Sequence, residues 1–337
     1  MTSTLNRRRL LLLSVPALMF AAACGSAGAT ASGSSGKLVV VTSVAPLTSI
    51  VSNIGGDRIE LHGIVPEGVN SHTFEPAPKV AELLSTADLV FVNGLKLEDP
   101  TAELAHTNAK KGSETVALGT RSLPESDYIY DFSFPRKEGK PNPHLWTDPL
   151  FAIRYADEAA AALSAHDPAD KAYFEANRVA FDAKATALSD ALKTAQATIP
   201  GGKKELLTYH DAYAYFGRDY GWKIIGAVQP SNFEDPTAKE VVSLIQQIRQ
   251  EQVPVIFGSE VFPSKILAQI AKEGGARYED TLRDDDLPGR PGQPEHSWLG
   301  LMRYDFRTMV KGLGGDPAAL DALDTADVTP DKADYAQ

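Results

Sequence analysis

The chain holds a single cysteine, Cys24, among 337 residues, so no internal disulfide can form. No apolar run is long enough to cross a bilayer comfortably, because the best candidate, Leu10 to Ala22, falls short of the roughly 20 residues a span needs. There is no His-Glu-x-x-His pattern, the helical signature of many zinc hydrolases. Basic residues are outnumbered 33 to 44 by acidic ones, a balance that argues against nucleic acid as a partner.

What is present begins with a targeting signal. Arg7, Arg8 and Arg9 form a positive segment, a short apolar stretch follows, and Ala21-Ala22-Ala23 leads into Cys24. A twin-arginine signal is a second reading of the arginine run, but the residues after it fit that pattern poorly, and ordinary secretion is the default. Export leads to an oxidising compartment, where an unpaired cysteine needs its own explanation. Three alanines before Cys24 and Gly25-Ser26 after it look like a bacterial lipobox, although that pattern prefers Leu where Ala21 stands. Residues 1–23 are therefore expected to be removed and Cys24 to be lipidated. Removal takes away three arginines and no acid, leaving 30 basic and 44 acidic residues, a formal charge of −14. Residues 24–36 are almost all Gly, Ala, Ser and Thr and are expected to be a flexible linker holding a body off the membrane.

The body alternates extended and helical patterns. Lys37 to Ser43 is apolar and β-rich, and Pro46 to Ile54 is helical. The alternation continues through Ile59–Val65, Pro78–Ser85, Leu89–Asn93, Asp99–Lys110 and Glu114–Leu118. It resumes from Glu205 and closes with a helix from Trp298 to Leu313. This is an α/β signature, predicting two lobes, each a mostly parallel sheet flanked by helices. Between them, good helix formers run from Pro168, capped by Asp167, to Ile199, and Pro200-Gly201-Gly202 stops them. A helix of that length spans about 45 Å and reads as a rigid connector. The expected organisation is an N-terminal lobe at 37–167, the connector at 168–199, a C-terminal lobe at 200–315, and an acidic tail at 316–337 expected to fray.

Three of the seven histidines keep unusual company. His72 lies in a polar turn, Asn70-Ser71-His72-Thr73, after an extended segment. His144 sits between Pro143 and Pro149 in Asn142-Pro143-His144-Leu145-Trp146-Thr147-Asp148-Pro149, and His210 ends the strand Leu206-Leu207-Thr208-Tyr209. Ligands of open α/β sheets bind at the carboxyl ends of strands, and neutral imidazole is a common transition-metal ligand. An oxygen donor would complete a tetrahedron, and the order of elements suggests Asp280, after Ala276-Arg277-Tyr278-Glu279. His62, His106 and His166 have no partner pattern, and His296 reads as a helix cap. Asp284-Asp285-Asp286 lacks EF-hand spacing and reads as a solvated acidic loop. Tyr213, Tyr215, Phe216 and Tyr220 have helical spacing and read as core.

These segments, with His210 to Gly221, Phe257 to Gly275 and Trp298 to Leu313, resemble in order and spacing the metal-binding solute-binding proteins of ABC importers. That group includes zinc-binding ZnuA-type and manganese-binding PsaA-type proteins and adhesin-like lipoproteins. The resemblance spans about Lys37 to Leu313 and implies two ligands from each lobe: His72 and His144, then His210 and Asp280. Manganese members usually carry Glu at the third position and zinc members His, so His210 implies Zn(II), with Mn(II) or Fe(II) as alternatives. Unlike many zinc members, this chain has no histidine between Ser122 and Asn142. The implied partners are an ABC permease and its ATPase, with the protein a monomer on the outer face of the membrane. The competing readings are a metal-binding adhesin or metallochaperone, and a zinc hydrolase with Glu75, Asp211 or Glu260 as base.

Overall fold

A computed structural model describes residues 36–261 and 266–335, apart from the side chain of Asp280. The signal, Cys24 and nearly all of the linker lie outside the described residues. Among those described, no helix is long and apolar enough to cross a membrane.

The first lobe runs β1 (Leu38–Thr42), α1 (Ala45–Gly55), β2 (Ile59–Gly63), α2 (Pro78–Thr86), β3 (Leu89–Val92), α3 (Asp99–Asn108), β4 (Glu114–Ala117) and α4 (Leu118–Ser122). Two long helices follow, α5 (Pro149–His166) and α6 (Lys171–Gln196). The second lobe runs β5 (Glu205–Thr208), α7 (Ala214–Tyr220), β6 (Lys223–Ala227), α8 (Ala238–Glu251), β7 (Val255–Ser259), α9 (Ile266–Gly274), β8 (Arg277–Leu282), α10 (Trp298–Gly312) and α11 (Ala318–Asp321). Each lobe holds a four-stranded, all-parallel sheet, ordered β2-β1-β3-β4 and β6-β5-β7-β8. The two orders are the same pattern, so the carboxyl ends of the first and third strands of each lobe flank an equivalent crevice.

Strand period explains the layering. In β1, Val40 joins a large buried cluster with Leu47 and Ile50 of α1, while its neighbour Val41 turns to the opposite face, against Val80 and Leu84 of α2. The large cluster continues through Phe181 of α6 and Phe306 of α10 to Phe257 of β7, so one apolar core serves both lobes. Tyr213, Tyr215, Phe216 and Tyr220 are buried within it, as their spacing suggested.

Two expectations are corrected. The connector helix starts at Lys171, not at Pro168, because the Asp167 carboxylate accepts from the backbone N–H groups of Ala169 and Asp170 and folds the segment into a turn. The tail is docked, not frayed. Asp327 and Asp331 accept from Asn53 and Ser52 of α1, Asp334 pairs with the free edge of β2, and Tyr335 is buried.

Candidate metal centre

His72 stands in a short 3-10 turn, where Asn70 Oδ1 accepts from its backbone N–H at 2.9 Å. His144 precedes another such turn, between two prolines, and His210 follows β5 directly. Their Nε2 atoms converge: 3.1 Å between His72 and His144, 3.2 Å between His72 and His210, and 3.0 Å between His144 and His210. A tetrahedral zinc with bonds of about 2.0–2.1 Å sets its nitrogens about 3.3 Å apart, close to this spacing.

The outer nitrogens fix the tautomers. His144 Nδ1–H donates to Asn142 Oδ1 at 2.9 Å, and His210 Nδ1–H donates to Gln229 Oε1 at 2.6 Å. Both rings therefore turn a bare Nε2 lone pair toward the centre. Burial holds all three imidazoles below their ordinary pKa, His210 down to about 4, and their mutual proximity lowers His72 and His144 further. They are neutral near pH 7, the state that binds a metal.

Carboxylates also stand beside the histidines, in the acidic loop after β8. Strand β8 runs on to Leu282, so Asp280 lies inside the strand, not past its end, and its side chain is outside the described residues. Past the end stand Asp284 and Asp285, buried and not solvated, with carboxylate oxygens within 4.8 Å of a His144 nitrogen. Asp284 Oδ2 is 3.4 Å from His210 Nε2, and neither it nor Asp285 Oδ1 has a hydrogen-bond partner among the described residues. Glu260 holds this loop by accepting from the backbone N–H groups of Asp284, Asp285 and Asp286 at 2.8, 3.2 and 3.1 Å. Ser71 Oγ, next to His72, donates to Asp285 Oδ2 at 2.7 Å. Burial raises Asp284 well above the usual carboxylate range and Asp285 to about 7, with Glu260 adding repulsion to both. Two buried acids beside three converging imidazole nitrogens make a pocket that a divalent cation relieves.

Contacts between the lobes run through these same loops. Asn142 Nδ2 donates to the Asp211 carbonyl at 2.8 Å, Thr147 Oγ1 to that of Ala212 at 2.8 Å, and Trp146 Nε1 to that of Asp284 at 2.7 Å. Phe134 and Phe233 border the cluster, Phe233 stacked on the His72 ring at 4.4 Å and 12°. Neither aromatic carries a motif that the sequence could have flagged.

The remaining candidates lie apart. His62 meets Glu60 and Asp334, His166 meets Glu114, and His106 is on α3. His296 is no cap, since Ser297 caps α10; it is buried against Glu67 at 2.9 Å. Glu75 is exposed, Asp211 accepts from Ser133 N–H, and Glu260 is occupied by the acidic loop.

Residues 40–312 match the family described as zinc-uptake complex component A, periplasmic. The metal ABC transporter substrate-binding lipoprotein FimA of Streptococcus parasanguinis is 30% identical over 297 residues, 88% of this chain and 96% of that protein. The iron-binding protein YfeA of Yersinia pestis is 30% identical over 279 residues, 82% of this chain and 87% of that protein. Among solved structures, the periplasmic zinc-binding protein TroA of Treponema pallidum shares the fold, with a TM-score of 0.75 at 24% identity over 82% of this chain and 99% of its own. A manganese-bound periplasmic metal-binding protein of Candidatus Liberibacter asiaticus gives 0.72 at 26% identity, over 82% and 100%. The chain thus belongs to the zinc-uptake complex component A family: it is an extracytoplasmic, non-enzymatic metal-binding component of an ABC transporter, working with a permease and an ATPase.

Proposed function

We propose that the protein, anchored through a lipid on Cys24, captures Zn(II) as a monomer and delivers it to its permease. The ion binds between lobes 37–167 and 200–315, on His72, His144, His210 and one carboxylate. The observation that carries this is the meeting of three Nε2 atoms within 3.2 Å, two of them with their outer N–H already committed. Three imidazoles favour zinc over manganese, which accepts oxygen-rich sites more readily. The sequence expectation for the carboxylate is Asp280. The buried, unpartnered oxygens of Asp284 and Asp285 support one of that pair in its place. Because one core runs through both lobes, release involves loop movement and small lobe shifts, not a wide hinge.

Competition titration with Zn(II), Mn(II) and Fe(II) tests the choice of metal. Zinc should bind tightest, and His210→Glu should move the preference toward manganese; equal affinity of the native protein for manganese would refute the zinc assignment. Asp284→Ala or Asp285→Ala should weaken binding, and Asp280→Ala beside them tests the sequence expectation: loss of affinity in that variant alone would return the fourth ligand to Asp280. Mass spectrometry of the mature N-terminus should find a diacylglyceryl group on Cys24.

A further inference from the structure

Of the three imidazoles, His144 and His210 are almost completely enclosed, and only His72 is reached by solvent. The route between cluster and solvent therefore passes on the His72 side. The ring lying flat over that side is Phe233, from the opposite lobe, on a turn whose neighbours Asn232 and Glu234 are exposed. Phe134 meets it from the first lobe at 5.8 Å.

Phe233 has a φ of 60°, in the left-handed region that a bulky L-residue rarely occupies. Such a conformation persists only where neighbours hold it. Here Phe233 N–H donates to the Pro230 carbonyl at 3.0 Å, and Gln229 Nε2 donates to the Phe233 carbonyl at 3.2 Å. The other end of the same amide, Oε1, accepts from His210 Nδ1–H at 2.6 Å. One buried glutamine thus joins a candidate ligand of the second lobe to the backbone of the residue covering a candidate ligand of the first.

We infer that Phe233 is the gate of the metal site, latched through Gln229 to His210 and lifting off His72 whenever the ion passes in or out. This rests on the three histidines binding a metal. The strained backbone opposes the closed position, and the stack with the amide latch holds it. A gate is a barrier in both directions, which separates it from a group that merely orients His72.

Stopped-flow mixing of metal-free protein with Zn(II), and of loaded protein with excess chelator, tests this on the native protein, Phe233→Ala and the milder Phe233→Leu. With Ala, association and release should both quicken by about tenfold, the upper range for losing one aromatic pair, while Kd moves less than about threefold. Leu should fall between. If only release quickened, Phe233 would be a positioning residue and the gate would be wrong; unchanged rates in both variants would also overturn it. Failure of the native protein to bind Zn(II), Mn(II) or Fe(II) would overturn the metal site itself, and the gate with it.

Discussion

At the scale of the residue, the second layer of the site decides how well the first performs. Asn142 accepts from both the backbone N–H and Nδ1–H of His144 and donates across the cleft to the Asp211 carbonyl. Asn142→Ala should therefore lower metal affinity by about 10–100-fold with the three histidines intact, measurable by chelator competition. Protons act on the same residues with opposite signs. His210 is depressed to about 4 from an ordinary value of about 6.5, so its neutral form contributes stability above pH 6.5 that is lost as pH falls toward 4. Asp285 is raised to about 7, so its contribution is present below the ordinary carboxylate range and is lost as pH rises through 7. A cation needs neutral imidazoles and relieves ionised carboxylates. The rise in Tm on adding Zn(II) should thus be larger at pH 8 than at pH 6 and vanish near pH 4, as thermal melts across that range will read.

At the scale of the element, α10 must start within one turn of the chain that precedes it. Ser297 Oγ accepts from Gly300 N–H at 2.9 Å, and a Cβ on Gly300 would lie 2.1 Å from the Glu295 carbonyl oxygen. Backbone on both sides leaves no side chain to yield. Gly300→Ala should destabilise the protein by about 1–3 kcal/mol, the range for overpacking, despite alanine's higher helix propensity, and denaturant titration measures it. The same helix places Asp305, which accepts from Arg283 N–H at 2.9 Å and so steadies the chain just before the acidic loop. The end of β8 differs from the sequence expectation by three residues. Stopping the strand at Glu279 put Asp280 at its mouth, whereas pairing with β7 carries it to Leu282.

At the scale of the molecule, residues 325–335 form a strap beyond the family match at 40–312. It binds α1 through Ser52 and Asn53, extends the sheet beside β2, and sets Tyr335 edge-on to His296, which holds Glu67. Deleting 325–337 should cost about 2–3 kcal/mol, roughly the burial of one large side chain, and lower Tm by several degrees in a thermal melt of the metal-free protein. Composition hid this strap. Its acids read as a solvated tail, yet Asp327 and Asp331 serve as acceptors for polar side chains of α1, the face that an apolar-period reading ignores.

The alternation of apolar runs and the Pro/Gly punctuation determined the α/β class and the approximate place of each strand, because burial on both faces of a parallel sheet leaves a continuous local signature. The polar turns around His72, His144 and His210 stood out for a similar reason: each is a short local break at a strand end or between prolines. Tertiary structure alone decided that Asp284 and Asp285 are buried beside them, that Glu260 shapes their loop, that Phe233 covers His72, and that the tail returns to β2. Those pairings join residues distant in sequence, and nothing local distinguishes an acid that faces water from one that faces three imidazoles.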